Sequence, residues 1–326
     1  MSAQMIYAIK NKNMDIIDNL IYKKQNIDMV DNNNNSALIH AIQHKWIECG
    51  IKLIQCGSNP NIINNKNQSA LSLSINYDLY DIVILLNKYK VYIRETEINL
   101  LVANDKYYDI IKNAICIYNF DISMLLITAL TNRQIKNAKL LLDEKICNVN
   151  VRDQSTLQTP LMIAIKIKSL EMVNELIKKK CNLNIQDMNG WTALMYATCT
   201  KQVNIVELLL KHNCNIKLVS NLGTSALSIG CEMQNIEIVR MLCFAYIEQK
   251  DNSFEKFTIT EVDKMINIKI IENFLNNHNI KFFSYNDEIK NIIKQNDNIF
   301  AKSFNSDLAD LNIIEIIISY IIGQIK

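Results

Sequence analysis

The segment Asp187-Met188-Asn189-Gly190-Trp191-Thr192-Ala193-Leu194-Met195-Tyr196-Ala197 decides the fold, because parts of it recur along the chain at a fixed spacing. A hydroxyl residue followed by Ala or Pro and then Leu begins at five positions, each 33 residues from a neighbour: Ser36, Ser69, Thr159, Thr192 and Ser225. Ala3 falls in the same frame, 33 residues before Ser36. A phase kept over this distance indicates tandem structural repeats.

Each repeat reads as a pair of helices. The hydroxyl residue stands where a first helix begins and can accept a hydrogen bond from an orphan backbone N–H, and Pro160 takes the first helical position, where a missing N–H costs nothing. A second helix follows with apolar residues at i, i+3 and i+4, as in Ile205, Leu208 and Leu209. The turn before each pair holds Gly or Asn, the residues that best tolerate a left-handed backbone: Asn34, Asn67, Gly190 and Gly223.

This pattern resembles the ankyrin repeat, whose signature is Thr-Pro-Leu-His-x-Ala in a unit of about 33 residues. The resemblance covers roughly residues 1–247. It implies an all-α ankyrin-repeat solenoid of about seven helix-turn-helix repeats plus a capping fragment over residues 1–250, followed by a helical C-terminal segment over residues 251–326.

Two departures from the 33-residue spacing stand out. Ser69 and Met124 are 55 residues apart, 11 short of two full units, and Ile98 to Ala103 reads as the start of a compressed repeat with shortened helices. Met124 and Thr159 are 35 apart, which predicts a two-residue insertion near Thr156 and Leu157.

The amino-acid composition limits which kinds of partner and which cellular compartment are expected. With 35 Lys+Arg against 33 Asp+Glu the chain has no basic excess, so nucleic-acid binding is not expected. Nine scattered cysteines without a CxxC pair, and no apolar leader over Met1–Lys12, favour a reduced, cytoplasmic setting. The apolar stretch Leu311 to Ile322 contains Glu315 and is shorter than the roughly 20 residues that span a bilayer. We therefore expect no membrane contact, and a monomer.

No residues form a recognisable catalytic or metal site. His40 and His44 have the i, i+4 spacing of a helical metal site but lack an intervening Glu and a third ligand. Cys147, Cys181 and Cys214 recur once per repeat, and packed helices about 8–10 Å apart hold such thiols too far apart for a disulfide or a shared zinc ion. We expect buried small side chains here, no catalysis and no cofactor.

The resemblance implies that the turn tips and the exposed side of the first helices bind another protein. The matching positions selected as partner-binding candidates are Tyr77, Met188, Asn189, Trp191, Thr200, Leu222 and Met233. Trp191 and Tyr77 stand out because rigid aromatic side chains dominate interface hot spots. The alternative for Trp191 is that it shields a neighbouring turn. The tips at Asn32–Asn35 are expected to be solvated.

The segment after residue 250 leaves the repeat frame. Its last part, residues 306–325, has Leu311, Ile314, Ile318 and Ile321 at 3-4-3 spacing, which predicts a helix that must be buried. Capping of the solenoid is the expected role. The alternative is an adaptor that recruits a substrate to a host ubiquitin ligase, because the segment is similar to the F-box-like end of poxvirus ankyrin proteins. The Asn-rich repeats also resemble the ankyrin families of giant amoeba-infecting viruses.

Overall fold

The computed structural model describes residues 2–23 and 25–233, with residues 235, 237–239, 241, 242 and 245 beyond them. The described residues are folded into helices and the turns between them, with isolated β-bridges in some turns. The helices are α1 (Ser2–Lys10), α2 (Met14–Tyr22), α3 (Ala37–Gln43), α4 (Ile47–Gln55), α5 (Ala70–Asn76), α6 (Tyr80–Lys88), α7 (Glu95–Val102), α8 (Tyr108–Ile117), α9 (Ile122–Thr131), α10 (Ile135–Asp143), α11 (Pro160–Lys166), α12 (Leu170–Lys178), α13 (Ala193–Cys199), α14 (Val203–Lys211) and α15 (Ala226–Glu232).

The chain divides into two compact units, Met1–Asn148 and Val149–Lys326, referred to below as unit 1 and unit 2. In each unit the helices form antiparallel pairs, and the first helix of one pair packs on the first helix of the next. Within the described residues, unit 1 holds the five pairs from α1 to α10, and unit 2 holds two pairs, α11–α12 and α13–α14, followed by α15 and by helical residues 237–239. The total number of repeats in the chain stays a prediction. The predicted boundary at residue 250 and the helices predicted after it lie outside the described residues.

The first helices begin where the hydroxyl pattern predicts. The Ser36 side chain accepts a hydrogen bond from the Ile39 backbone N–H at 3.3 Å, and Thr192 accepts from Met195 in the same way. Ser69, Thr159 and Ser225 cap their helices alike. The Leu that follows each cap is buried at Leu38, Leu71, Leu161 and Leu194. Pro160 is the first residue of α11, as expected.

The second helices bury a stripe that differs by one residue from the predicted one. In α14 the buried side chains are Ile205, Val206 and Leu209, whereas Leu208 is half-buried. The prediction at Leu208 was wrong because i, i+1, i+4 and i, i+3, i+4 each cover about 100° of the helix surface, so the period alone could not show that Val206 lies on the buried face.

The compressed region has complete helices, so the prediction of shortened helices was wrong. Helix α7 has eight residues and α8 has ten. The missing length lies in the links between pairs: residues 56–69 join α4 to α5, but only residues 89–94 join α6 to α7 and only 118–121 join α8 to α9. Helix α9 also starts before Met124, with Asp121 as its cap.

The two-residue insertion is split between two places. In the turn after Asp153, the Leu157 N–H donates to the Asp153 carbonyl four residues back, whereas Gly190 donates to Asp187 three residues back. Leu157 takes the left-handed conformation there, at φ 57°. The other extra residue precedes Cys147, which lies four residues after α10 ends, while Cys181 lies three after α12 ends. Only half of the predicted insertion is therefore near Leu157.

Candidate interaction surface

Five of the links between pairs project a tight turn, which we call a finger. Fingers 1 and 2 (residues 30–36 and 63–69) belong to unit 1, and fingers 3, 4 and 5 (residues 152–159, 186–192 and 219–225) belong to unit 2. Isolated antiparallel bridges join the two arms of fingers 1, 2 and 5. The predicted left-handed positions are confirmed, with φ between 59° and 76° at Asn34, Asn67, Gly190 and Gly223.

A polar side chain at the start of each finger holds its turn. In finger 4 the Asp187 Oδ1 atom accepts backbone hydrogen bonds from Asn189 at 2.9 Å and Trp191 at 2.8 Å. Asp31 does the same for Asn33 and Asn35, both at 2.8 Å. The full set is Asp31, Asn64, Asp153, Asp187 and Ser220. Sequence reasoning missed these residues, although four of them keep the 33-residue spacing in pairs.

Hydrogen bonds within the finger turns also lower the pKa of two of these carboxyls, those of Asp31 and Asp153. Burial by itself would raise the pKa of Asp31, but the hydrogen bonds from Asn35, His40 and Asn33 outweigh it and lower the pKa to about 2. Hydrogen bonds from the Ser155 and Thr156 side chains lower the pKa of Asp153 to about 2. Both carboxylates are therefore charged acceptors at neutral pH.

Neighbouring fingers are linked by backbone hydrogen bonds within each unit. In unit 2 the Met188 N–H donates to the Thr156 carbonyl at 3.1 Å, and the Asn221 N–H donates to the Asn189 carbonyl at 3.0 Å. The Asn221 side chain adds a bond to the Met188 carbonyl at 2.9 Å. In unit 1 the Asn65 backbone and side chain donate in the same way to Asn33 and Asn32. The fingers of each unit thus form a continuous ladder.

The two ladders carry different side chains. At the tips of unit 1 the exposed residues are polar, and the exposed apolar residue of finger 1, Val30 at 37%, lies in its arm. The exposed tip residues are Asn32, Asn33, Asn65, Lys66 and Asn67. In unit 2 each finger exposes a large apolar side chain, with Leu157 37%, Met188 53% and Leu222 88% exposed. Leu222 occupies the position of Lys66, one residue after the ladder asparagine in each case.

The structure brings together only part of the predicted site. Met188, Asn189 and Leu222 lie together on the unit 2 ladder, and half-buried Trp191 packs at the base of finger 4. Thr200 is the C-cap of α13, one helix length from the finger, and its hydroxyl donates to the Tyr196 carbonyl at 2.7 Å. Met233 is half-buried just after α15. Tyr77 belongs to unit 1, where the Lys45 ammonium lies 5.5 Å from its ring.

Comparison with known proteins decides the family. A family model described as "Ankyrin repeats (3 copies)" matches residues 5–97, 98–187 and 161–253, which together cover most of the chain. The chain belongs to the ankyrin-repeat family. With the helical structure described above, this match confirms the predicted all-α ankyrin-repeat solenoid. Ankyrin repeats generally mediate protein–protein interaction, and no enzyme family is indicated.

Other comparisons add little to the family assignment. A solved ankyrin-repeat domain, that of Bcl-3, described as a unique member of the IkappaB protein family, is 16% identical over 73% of this chain and 97% of that chain, with a TM-score of 0.41. Similarity at that level supports no further argument. No curated protein matches the chain. Among the described helices, none has the length and apolar character needed to cross a membrane.

In α13, which follows finger 4, a tyrosine occupies the position of the histidine in the ankyrin signature. The Tyr196 hydroxyl donates to Asp187 Oδ2 at 2.6 Å and accepts from Gln158 Nε2 at 2.8 Å. Its ring packs on Trp191 with 5.1 Å between ring centroids. Burial and the neighbouring Asp187 raise the pKa of Tyr196 above its usual value, so the hydroxyl stays protonated. This network ties Trp191 to the closed finger turn.

Finger 1 keeps the signature histidine. His40 Nε2 lies 2.9 Å from Asp31 Oδ2, and the other ring nitrogen is buried without a partner. Burial lowers the pKa of His40, outweighing the adjacent Asp31. The ring stacks on His44 at 6.4 Å, and within the described residues no group of three His, Cys, Asp or Glu side chains could hold a metal ion. His40 thus has the turn-holding role of the ankyrin signature.

The cysteine column matches the structural interpretation in unit 2. Cys181 and Cys214 are buried, and burial raises the pKa of their thiols to about 11 and about 12. A thiol that stays protonated is a poor nucleophile and a poor metal ligand. Cys147, in unit 1, is half-buried.

Proposed function

We propose that the chain binds a partner protein through the fingers of unit 2 and the adjoining surface of its first helices, without catalysing a reaction. The candidate residues are Met188, Asn189, Trp191, Thr200, Leu222 and Met233, to which the structure adds Leu157. Tyr77 is a separate candidate on unit 1.

One observation carries the proposal. Three successive fingers expose Leu157, Met188 and Leu222 on backbones that are hydrogen-bonded to one another. Apolar side chains scattered singly are ordinary on protein surfaces, but a contiguous row marks an interaction site. Because the ladder fixes the backbones, little backbone conformational entropy is lost when a partner binds.

Trp191 supports the same surface from beneath. Its indole is half-buried against Tyr196, whose hydroxyl is held by Asp187 and Gln158. A ring fixed in this way is pre-organised for contact and has the residue type of a hot spot. We expect Trp191→Ala to weaken partner binding by about 2 kcal/mol. A variant that melts much earlier but keeps its affinity would instead assign Trp191 to shielding the turn.

Affinity purification tests the proposal. The full chain and a Met188→Ser/Leu222→Ser variant are used as bait in extracts of natural host cells, and bound proteins are quantified by mass spectrometry. We expect one or more specific proteins to fall at least about tenfold with the variant, since each buried Leu or Met contributes about 1.5–3 kcal/mol. The control is Ile117→Ser, which removes a side chain that is 72% exposed in unit 1. Equal recovery by both variants would contradict the proposal.

The adaptor hypothesis depends on residues 306–326, which lie outside the described residues. It is supported only by the apolar helical pattern of that segment. Deleting residues 306–326 separates the two roles: a folded chain that loses a ubiquitin-ligase component supports the adaptor, whereas a chain with weakened hydrogen-exchange protection over residues 221–233 supports the cap.

A reduced, cytoplasmic setting and a monomeric state complete the proposal. No disulfide joins the cysteines whose side chains the structure describes, and burial raises the pKa of the Cys49, Cys181 and Cys214 thiols to between about 11 and about 12. Free thiols in these numbers are typical of reducing compartments. The similarity to viral ankyrin proteins remains a hypothesis from sequence alone.

A further inference from the structure

Lys166 lies beside the proposed surface, and one hydrogen bond to a described residue uses only part of the donor capacity of its ammonium. It ends α11, its side chain is exposed, and its ammonium donates to Gln158 Oε1 at 3.1 Å. The same ammonium lies 5.7 Å from the Tyr196 ring. A lysine ammonium has three donors, and within the described residues that of Lys166 contacts no carboxylate.

A carboxylate close to Tyr196, that of Asp187, is already occupied by hydrogen bonds. Asp187 is buried, and its oxygens accept hydrogen bonds from the Asn189 and Trp191 backbones and from the Tyr196 hydroxyl. Asp187 therefore closes finger 4 and forms no ion pair with Lys166. Lys166 and Trp191 instead both lie near the Tyr196 ring: the Lys166 ammonium is 5.7 Å and the Trp191 ring centroid 5.1 Å from the Tyr196 ring centroid.

Exposed charge on this side of unit 2 is mostly positive. The fingers, the first helices and the links just after them carry one exposed acid, Glu232, against four exposed bases: Arg152, Lys166, Lys168 and Lys201. Arg152 donates to the Gln186 and Leu157 carbonyls and not to an acid. Asp153 accepts from Ser155 and Thr156 within finger 3.

The acids of the second helices lie elsewhere and are partly neutralised. In α14 Glu207 pairs with Lys211 at 2.8 Å, and in α12 Glu175 pairs with Lys178 at 2.7 Å. Both pairs belong to the helices behind the first-helix surface. The positive charge near the fingers is therefore available to a binding partner.

We propose that this surface recognises an acidic, apolar segment of the partner protein, with a carboxylate bound by Lys166 and an apolar side chain placed on Trp191 and Met188. The inference rests on the proposed function and adds the chemistry of the partner. Exposed Leu157, Met188 and Leu222 favour a polypeptide over a nucleic acid, whose phosphate backbone would contact cations without an apolar row. Residues of an extended peptide rise about 3.3 Å each, so side chains within three residues of each other can reach both groups.

Selection from a random 12-residue peptide display library tests the chemistry on the full chain. We expect enriched peptides to hold Asp or Glu within three residues of a large apolar side chain. With Lys166→Glu as the target, those peptides should bind about tenfold more weakly, because like charges now face each other, and a new selection should enrich Lys or Arg. Lys178→Glu makes the same charge change on α12 and should leave the selection unchanged.

The outcomes separate this inference from the proposed function. Peptides that lack carboxylates, or that bind Lys166→Glu as tightly as the original chain, overturn the inference, even if the Met188→Ser/Leu222→Ser variant still abolishes their binding. Peptides that bind that double variant normally, or a library that yields no binder, contradict both. Circular dichroism melting checks that Lys166→Glu folds, and Lys166→Gln serves in its place if it does not.

Discussion

Fingers 2 and 5 have the same backbone construction and opposite surfaces. Asn65 and Asn221 make equivalent hydrogen bonds to the preceding finger, and the next residue is Lys66 in one and Leu222 in the other. The comparison separates what folds a finger from what a finger presents. The turn-holding groups and the ladder asparagines determine the backbone of the finger. The side chain at the tip takes no part in these hydrogen bonds and is available to a partner.

A second contrast lies between the fingers and the region where fingers are missing. Before α7 the short link leaves no turn to cover Ser69 and Asn67 of finger 2, and Arg94 and Glu97 take its place. Glu97 is 1% exposed and accepts hydrogen bonds from the Ser69 hydroxyl and from the Arg94 backbone, both at 2.7 Å. The Arg94 guanidinium bridges Glu97 and Asn67. The Arg94–Glu97 ion pair thus joins the start of α7 to finger 2, as backbone hydrogen bonds join neighbouring fingers elsewhere.

The largest expected effect follows from that ion pair. Arg94→Ala leaves the buried Glu97 carboxylate without its counter-charge and should destabilise the chain by about 3 kcal/mol. Urea unfolding gives the free energy, and hydrogen exchange should show the loss concentrated in α5 and α7. Lys178→Ala removes an exposed pair with Glu175 and should cost under about 1 kcal/mol. Equal losses in the two variants would contradict a special role for Arg94.

Gly190 and Gly57 separate the cost of finger contact from that of backbone conformation. Both glycines have a positive φ, 76° and 86°. A Cβ on Gly57 would meet nothing within 4 Å, whereas one on Gly190 would lie 2.6 Å from the Asn221 backbone nitrogen. Gly57→Ala should cost about 1 kcal/mol for the left-handed backbone alone, and Gly190→Ala about 2 kcal/mol or more because finger 5 must also shift. Equal melting points of the two variants would show that finger 5 shifts without a cost in free energy, which would contradict this prediction.

Unit 1 has His40 at the repeat position where unit 2 has Tyr196. We therefore predict that the stability of unit 1 depends on pH through His40. Because burial lowers the pKa of folded His40 below its unfolded value of 6.5, the unfolded chain binds more protons, and stability falls as the pH drops below about 6.5. The fall is at most about 1.4 kcal/mol per pH unit for one proton. Hydrogen exchange in α3 at pH 7 and pH 5 measures it.

His40→Tyr supplies the control, because it copies the arrangement of Tyr196 with Asp187. The variant retains His44 and His212, so only the contribution of His40 is removed. Its α3 protection should change less between pH 7 and pH 5 than that of the original chain. Asp31, with a pKa of about 2, does not titrate in this window. An unchanged pH response would show that another group causes it.

The smallest expected effect is at the tip itself. Leu222→Lys converts finger 5 to the chemistry of finger 2 and should change stability by no more than about 0.5 kcal/mol, because Leu222 is 88% exposed. Urea unfolding checks this. A loss above 1 kcal/mol would mean that Leu222 packs on the chain and is not available to a partner.

The repeat frame could be predicted because local chemistry forces it. Each capping hydroxyl and each left-handed Asn or Gly acts within its own turn, so spacing alone located Ser36, Thr192 and Gly190. The tip candidates Met188 and Leu222 followed from the same frame. Thr200 was assigned to this surface by its position in the repeat, but the length of α13 separates it from the finger.

Features that depend on contact between repeats could not be predicted in this way. The compressed region was interpreted as shortened helices, because a sequence deficit does not show whether helix or link is lost. The Arg94–Glu97 pair and the Lys166–Gln158–Tyr196 network join residues from different turns, and no periodicity marks them. The turn-holding column from Asp31 to Ser220 was accessible from spacing, but the different residue types, Asp, Asn and Ser, conceal it.

Site-specific photo-cross-linking at equivalent tips tests the central claim most directly. A photoreactive amino acid replaces Leu222 in one full-length chain and Lys66 in another, and each chain is irradiated in living cells. We predict protein adducts from position 222 that Met188→Ser reduces, and none of comparable yield from position 66. Adducts of equal yield from both positions, or from position 66 alone, would contradict the assignment of the partner surface to unit 2.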